Sequence, residues 1–204
     1  MPVAQIVSAS VMDKIDDKAI CGLGADAIFV FPIMRQFMSW LGVHPASRKN
    51  ITKILNNHQN VAVIPGGIAE MYLINDKTEE IYLNERKGFI KAAIQEGSAI
   101  IPTFFYGNTT LFTIIGGSGS TDSFLAKLSR QLKASIMFFY GRYFLPIPYR
   151  KPLLMACGTP VEVTQNDNPT IEEINEVMQR LQEGVKTLYN ETKPVWETRP
   201  LVIK

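Results

Sequence analysis

With 204 residues, 46% of them hydrophobic, the chain is long enough for one domain with a real core, and it reads as a single domain over residues 1–204. A net charge of +2 and a pI of about 8.5 give no overall electrostatic case for nucleic acid, and two cysteines, Cys21 and Cys157, make neither a disulfide framework nor a CxxC pattern, which fits a reducing compartment. Charged residues from Asp13 to Lys18 stand where a signal peptide needs an apolar run, and no stretch reaches the roughly 18 apolar residues of a membrane span, so the chain reads as soluble or as lying on a membrane without crossing it.

Ile33, Phe37, Trp40 and Leu41 fall at helical spacing and predict a helix over Pro32–Val43. Ser47 caps a second helix running to about Asn57, with Ile51, Ile54 and Leu55 on one side. The β-branched run Asn60–Pro65 predicts a buried strand broken by Gly66-Gly67. Arg86–Glu96 predicts a helix stopped at Gly97, and Ser98–Phe105 a second buried strand. Gly116–Thr121 is a loop, and Leu153–Cys157 a third strand. Thr170 and Glu173 form a capping box before the stripe Ile171, Ile174, Val177, Met178, Leu181, Val185 and Leu188; the tail after Thr192 is expected to be loose. Strands alternating with helices predict an α/β fold.

Three features carry possible chemistry. In Ile64-Pro65-Gly66-Gly67-Ile68-Ala69-Glu70, glycines admit a ligand close to the backbone and Glu70 follows the strand's carboxyl end; a tight turn with a solvated glutamate is the plainer reading. Arg86, Lys87 and Lys91 bring cations to a helix start, which suits a phosphate or carboxylate; the alternative is a solvated basic turn. Between Asp122 and Glu162 there is no acid, and Phe124–Lys133 reads as amphipathic with a basic side, fitting a membrane interface, the phosphates of CoA, or a core helix with a wet back. A single-strand nucleic-acid binder is the remaining rival and is set aside. Two histidines and two cysteines at no ligand spacing argue against a metal site.

Taken together, these blocks resemble the type-2 diacylglycerol acyltransferase family, which includes monoacylglycerol and wax-alcohol acyltransferases. Val63–Glu70 is similar to its glycine-glycine-x-x-glutamate element. Arg86-Lys87-Gly88-Phe89-Ile90-Lys91, then Gly97, then Ile101-Pro102 to Gly107-Asn108, is similar to its longest signature, with Tyr106 where phenylalanine is usual. Pro32–Arg48, Tyr140-Gly141-Arg142, Pro146–Pro152 and Gly158-Thr159-Pro160-Val161 extend the resemblance to about residues 22–192.

The resemblance implies a mixed sheet flanked by helices, as in glycerolipid acyltransferases. It implies transfer of a fatty acyl group from acyl-CoA, as co-substrate and without a further cofactor, to the hydroxyl of a neutral lipid such as diacylglycerol, at the cytosolic face of the endoplasmic reticulum membrane or a lipid droplet. Glu70 becomes the catalytic-site candidate, and Gly66, Gly67, Arg86, Lys87, Lys91, Asn108 and Arg142 the substrate-binding candidates. The family's base is the second histidine of a His-Pro-His-Gly motif. This sequence has only His44 and His58, and neither stands in such a motif. His44-Pro45 continues as Ala46-Ser47, and His58 lies in a polar helix end. The expectation is therefore a chain truncated before the motif and inactive by itself, or a non-catalytic paralogue that binds lipid or membrane surfaces.

Overall fold

The computed structural model describes residues 4–7, 20–67, 70, 74–75, 77–115, 138–145 and 147–204. The predicted loop at 116–121 and the amphipathic segment 124–133 lie outside the described residues.

The architecture is α/β. The core centres on a mixed sheet in the order β1-β9-β6: β1 (Ala4–Val7) runs parallel to β9 (Leu154–Cys157), which pairs antiparallel with β6 (Thr103–Tyr106). Two helices flank it, α3 (Gly88–Glu96) and α4 (Ile171–Thr192). Ile90 and Ile94 of α3 meet Phe104 and Tyr106 of β6, Ala156 of β9, and the face of α4 formed by Ile174, Val177, Met178, Leu181, Val185, Leu188 and Tyr189. Phe104, Tyr106 and Tyr189 form an aromatic cluster with ring centroids 4.8 to 5.3 Å apart.

Local signals set the ends of these elements. Thr170 Oγ1 accepts from the Glu173 N–H at 3.2 Å, and Glu173 Oε2 accepts from the Thr170 N–H at 2.7 Å, the reciprocal cap predicted for α4. Ile171 drops out of the expected stripe and is 69% exposed, and burial along α4 starts at Ile174. Gly97 closes α3 at φ +60°, and Gly88 rather than Arg86 begins it.

A second unit is a parallel sheet in the order β3-β2-β4, formed by β2 (Ile20–Gly24), β3 (Val43–Pro45) and β4 (Asn60–Ala62). Helix α1 (Pro32–Trp40) lies between β2 and β3, and α2 (Arg48–Asn56) between β3 and β4. Ser47 caps α2 by accepting from the Asn50 N–H at 3.2 Å. Two expectations are corrected here. Helix α1 stops at Trp40, because Gly42 at φ +71° redirects the chain into β3. The run Asn60–Pro65 is a strand only to Ala62 and is not buried, with Ile64 74% exposed.

The tail is also corrected: it is anchored rather than loose. β10 (Leu201–Ile203) pairs in parallel with β5 (Glu79–Ile81). Flanking amide bonds, Glu79 N–H to Pro200 O and Leu83 N–H to Lys204 O, both 2.9 Å, extend the pairing. A short antiparallel pair, β7 (Thr113–Ile115) with β8 (Phe138–Tyr140), completes the described strands.

Candidate functional site

Glu70 follows the glycine turn within one helical step, its N–H directed at Gly66 O at 3.4 Å. Its carboxylate folds back over Gly66. A Cβ at residue 66 would lie 2.3 Å from Glu70 Oε2, so only glycine leaves room for it. Gly67 sits at φ +53°, where a side chain would strain the backbone. Burial pushes the Glu70 carboxyl up to about 7; a hydrogen bond from the Tyr82 backbone amide opposes this, and the nearby Glu79 carboxylate adds to it. Glu70 is thus half-buried against the glycine turn rather than fully solvated.

Tyr82 links this carboxyl to the cations. Its amide bonds Glu70, while the Arg86 guanidinium lies 5.5 Å over its ring. Lys87, exposed at the start of α3, donates to Asn175 Oδ1 of α4 at 2.7 Å. Lys91 follows one turn on, its N–H bonded to Lys87 O at 3.1 Å. Of the three, Arg86 is the one that meets Tyr82; Lys87 turns to α4, and Lys91 lies one turn further along α3.

Asn108 is exposed at the start of a 3-10 turn, Asn108–Thr110, entered through Gly107 at φ +83°. A Cβ on Gly107 would meet Pro152 O at 2.3 Å, so the turn requires glycine. Its neighbour Thr109 reaches a buried charge cluster that sequence reasoning missed. Thr109 Oγ1 donates to Glu79 at 3.1 Å. Arg199 Nη1 lies 3.0 Å from Glu79 Oε2, and Arg199 Nη2 and Nε donate to Glu197 at 2.7 and 2.9 Å. Glu79 and Glu197 are 4% and 6% exposed. The two-point bond from Arg199 holds the Glu197 carboxyl below the usual carboxylate range, whereas burial outweighs the single Arg199 contact at Glu79 and raises it. The local signal for this cluster was slight: one arginine in a short tail ending in the apolar run Leu201–Ile203.

Arg142 is not drawn to this place; it turns to its own neighbour, donating to the Tyr143 hydroxyl at 3.2 Å. The histidines are also apart from the turn. His58 is exposed at φ +55°, and His44, exposed on β3, lines a cavity of about 290 Å³ with Phe29, Arg35, Ser39, Val43 and Pro45. Among the described residues, no group of three histidine, cysteine or acidic side chains could hold a metal ion, and no helix is long and apolar enough to cross a membrane.

The diacylglycerol acyltransferase family profile matches residues 6–204. A diacylglycerol O-acyltransferase 1 from Eremothecium gossypii is 31% identical over 176 residues, covering 81% of this chain and 38% of that protein. A 2-acylglycerol O-acyltransferase 1 from Mus musculus is 30% identical over 177 residues, covering 81% of this chain and 52% of that protein. The chain thus spans about half the length of these relatives or less. Its fold is similar to the crystal structure of the 1-acyl-sn-glycerophosphate acyltransferase PlsC from Thermotoga maritima, with a TM-score of 0.52 over 96% of this chain and 75% of that one. At 12% identity this is a likeness of fold alone.

Proposed function

The chain belongs to the diacylglycerol acyltransferase family, and from that membership we propose that it serves O-acyl transfer from acyl-CoA to the hydroxyl of a neutral lipid such as diacylglycerol. The acceptor oxygen attacks the thioester carbonyl, the C–S bond breaks, and the hydroxyl proton passes through a base to the departing CoA sulfur. No cofactor beyond the acyl-CoA co-substrate is needed. The setting is the cytosolic face of the endoplasmic reticulum membrane or a lipid droplet, where such acceptors reside.

One observation carries the reading: Glu70 is enclosed behind Gly66 and tied by Tyr82 to the Arg86 end of α3. A carboxyl whose proton affinity lies near neutrality orients a histidine base or the acceptor hydroxyl by hydrogen bonding. Arg86, Lys87 and Lys91 suit the phosphates of CoA, with Gly66, Gly67 and Asn108 shaping the approach. Arg142, turned to Tyr143, remains a substrate-binding candidate apart from this group.

The 204-residue chain by itself is proposed to turn over slowly, since it has no His-Pro-His-Gly motif and loss of a general base costs about 10²–10⁴-fold. The alternative, a lipid-surface-binding paralogue without catalysis, predicts binding without turnover. Titration with acyl-CoA and an assay with labelled acyl-CoA and diacylglycerol test both. Acyl-CoA binding is expected to weaken on the order of ten-fold when Arg86, Lys87 and Lys91 are changed to glutamate, and to persist in Glu70→Gln. Failure to bind acyl-CoA overturns the transferase reading. Rapid turnover by the chain alone overturns both the missing-base argument and the binding-only reading.

A further inference from the structure

Glu70 takes a hydrogen bond from a backbone amide, so whatever fixes that stretch of backbone fixes the carboxyl. The amide belongs to Tyr82, the residue directly after β5. Among the described residues β5 has one strand partner, β10 of the tail. The bonds alternate along β5. Glu79 N–H donates to Pro200 O, Ile81 O accepts from the Lys204 N–H, and Leu83 N–H donates to Lys204 O, each at 2.9 Å. In a parallel pair, residues between the bonded ones turn their own amides to the opposite edge. Tyr82, bracketed by Ile81 and Leu83, therefore presents its N–H away from β10, and there it meets Glu70.

The start of β5 is held by charge. Arg199 Nη1 stands 3.0 Å from Oε2 of Glu79, the first residue of the strand, and donates to Asn75 O at 3.3 Å. Asn75 Oδ1 accepts from the Thr78 N–H at 2.8 Å, closing the turn that feeds β5. The Arg199 side chain is 11% exposed, so this grip belongs to the interior. Glu79 is also the carboxylate that repels Glu70, so Arg199 holds the strand and offsets that charge at once. The other charged groups around this backbone have their own partners: Arg86 lies over the Tyr82 ring, Glu85 accepts from the Tyr82 hydroxyl, and Glu80 pairs with Lys204 at 2.5 Å.

We propose that the tail segment 197–204 positions Glu70, with Arg199 as the positioning residue at one end of β5 and the Lys204 backbone fixing the Tyr82 amide at the other. A site on the glycine turn is then completed from the far end of the chain. The proposal rests on the reading of Glu70 as the working carboxyl, but it concerns placement and not transfer.

The test follows the Tyr82 amide proton by NMR of the isotope-labelled 204-residue chain from mildly acidic to mildly alkaline pH. An amide that donates to a carboxylate shifts its resonance as that group takes up a proton. The parent is expected to show this titration with a midpoint near about 7, and Glu70→Gln to abolish it. Lys204→Pro removes the N–H given to Ile81 O and is expected to reduce the titration amplitude on the order of two-fold or more. Lys204→Ala keeps that N–H, loses only the contact with Glu80, and should retain the amplitude. Arg199→Lys should also reduce it, because an ammonium cannot reproduce the planar fork. Thr170→Ala, at the distant α4 cap, should leave it unchanged. Full amplitude in Lys204→Pro overturns the proposal, and this variant decides alone where Arg199→Lys does not fold. So do an equal loss in Thr170→Ala and a parent that shows no titration at Tyr82. Acyl-CoA titration of the same samples separates the two readings: a parent that titrates at Tyr82 without binding acyl-CoA overturns the transferase reading alone.

Discussion

Helices α4 and α1 are both amphipathic, yet α4 buries Ile174, Val177, Leu181 and Leu188 against β6 and β9, while α1 leaves Ile33, Phe37 and Trp40 in solvent. The difference lies in what surrounds each helix. Around α4 the sheet, α3 and the returning tail enclose the stripe, so burial is cooperative and each side chain meets dense partners. Among the described residues α1 packs chiefly on β3 and a 3-10 turn, Asp26–Val30, and these meet its polar side. Amphipathicity thus selects a helix, but its neighbours decide whether the apolar side holds the fold together or remains available.

The largest expected effect tests how firmly the α4 region is closed. Arg199→Ala strands Glu79 and Glu197, both nearly fully buried, and should cost on the order of 3–5 kcal/mol by urea denaturation; Arg199→Lys should recover only part of this, because one ammonium cannot serve both carboxylates in the same planar geometry. Next comes the direct contrast between the helices. Leu181→Ala, at 4% exposure, should cost about 3 kcal/mol, and Ile33→Ala, at 85%, within about 0.5 kcal/mol. Equal costs would dissolve the comparison.

Glu70 lies beside the strand that anchors the tail, tied by Tyr82 and repelled by Glu79, and its effect is intermediate. Its folded proton affinity is raised to about 7, so the native state holds a proton that the unfolded chain has already released. Its contribution is therefore lost as pH rises from about 4.5 through about 7, by an amount on the order of 2 kcal/mol after allowing for partial exposure. Glu70→Gln should flatten that slope, read by denaturant melts at about pH 5 and about pH 8. The smallest effect expected is Thr170→Ala at the α4 cap, about 1 kcal/mol in thermal stability.

Legibility from sequence followed the range of the interaction. The caps at Ser47 and Thr170 and the αL stop at Gly97 are set within four residues, and each stands where its motif placed it. The mixed sheet with flanking helices followed from alternating patterns and the family resemblance. The outward face of α1 was not readable, since periodicity says which residues share a side and not which side meets the body. The anchored tail was missed because Leu201–Ile203 pairs with Glu79–Ile81, more than a hundred residues away, through an arginine with no local motif. In the site, the turn at Gly66-Gly67 and the nearness of Glu70 were legible. The enclosure of Glu70, which raises its proton affinity, depends on Tyr82 and Glu79 and was not.

The space above Gly66 is already occupied by the Glu70 side chain, whose Cδ and Cβ would lie 2.5 and 2.6 Å from any Cβ placed there. Positions 66 and 70 are therefore one hereditary unit. A methyl group at residue 66 would evict the carboxyl from its enclosure as surely as a change at residue 70 itself, so a lineage that loses this glycine gives up the glutamate's enclosed proton even while its codon remains intact.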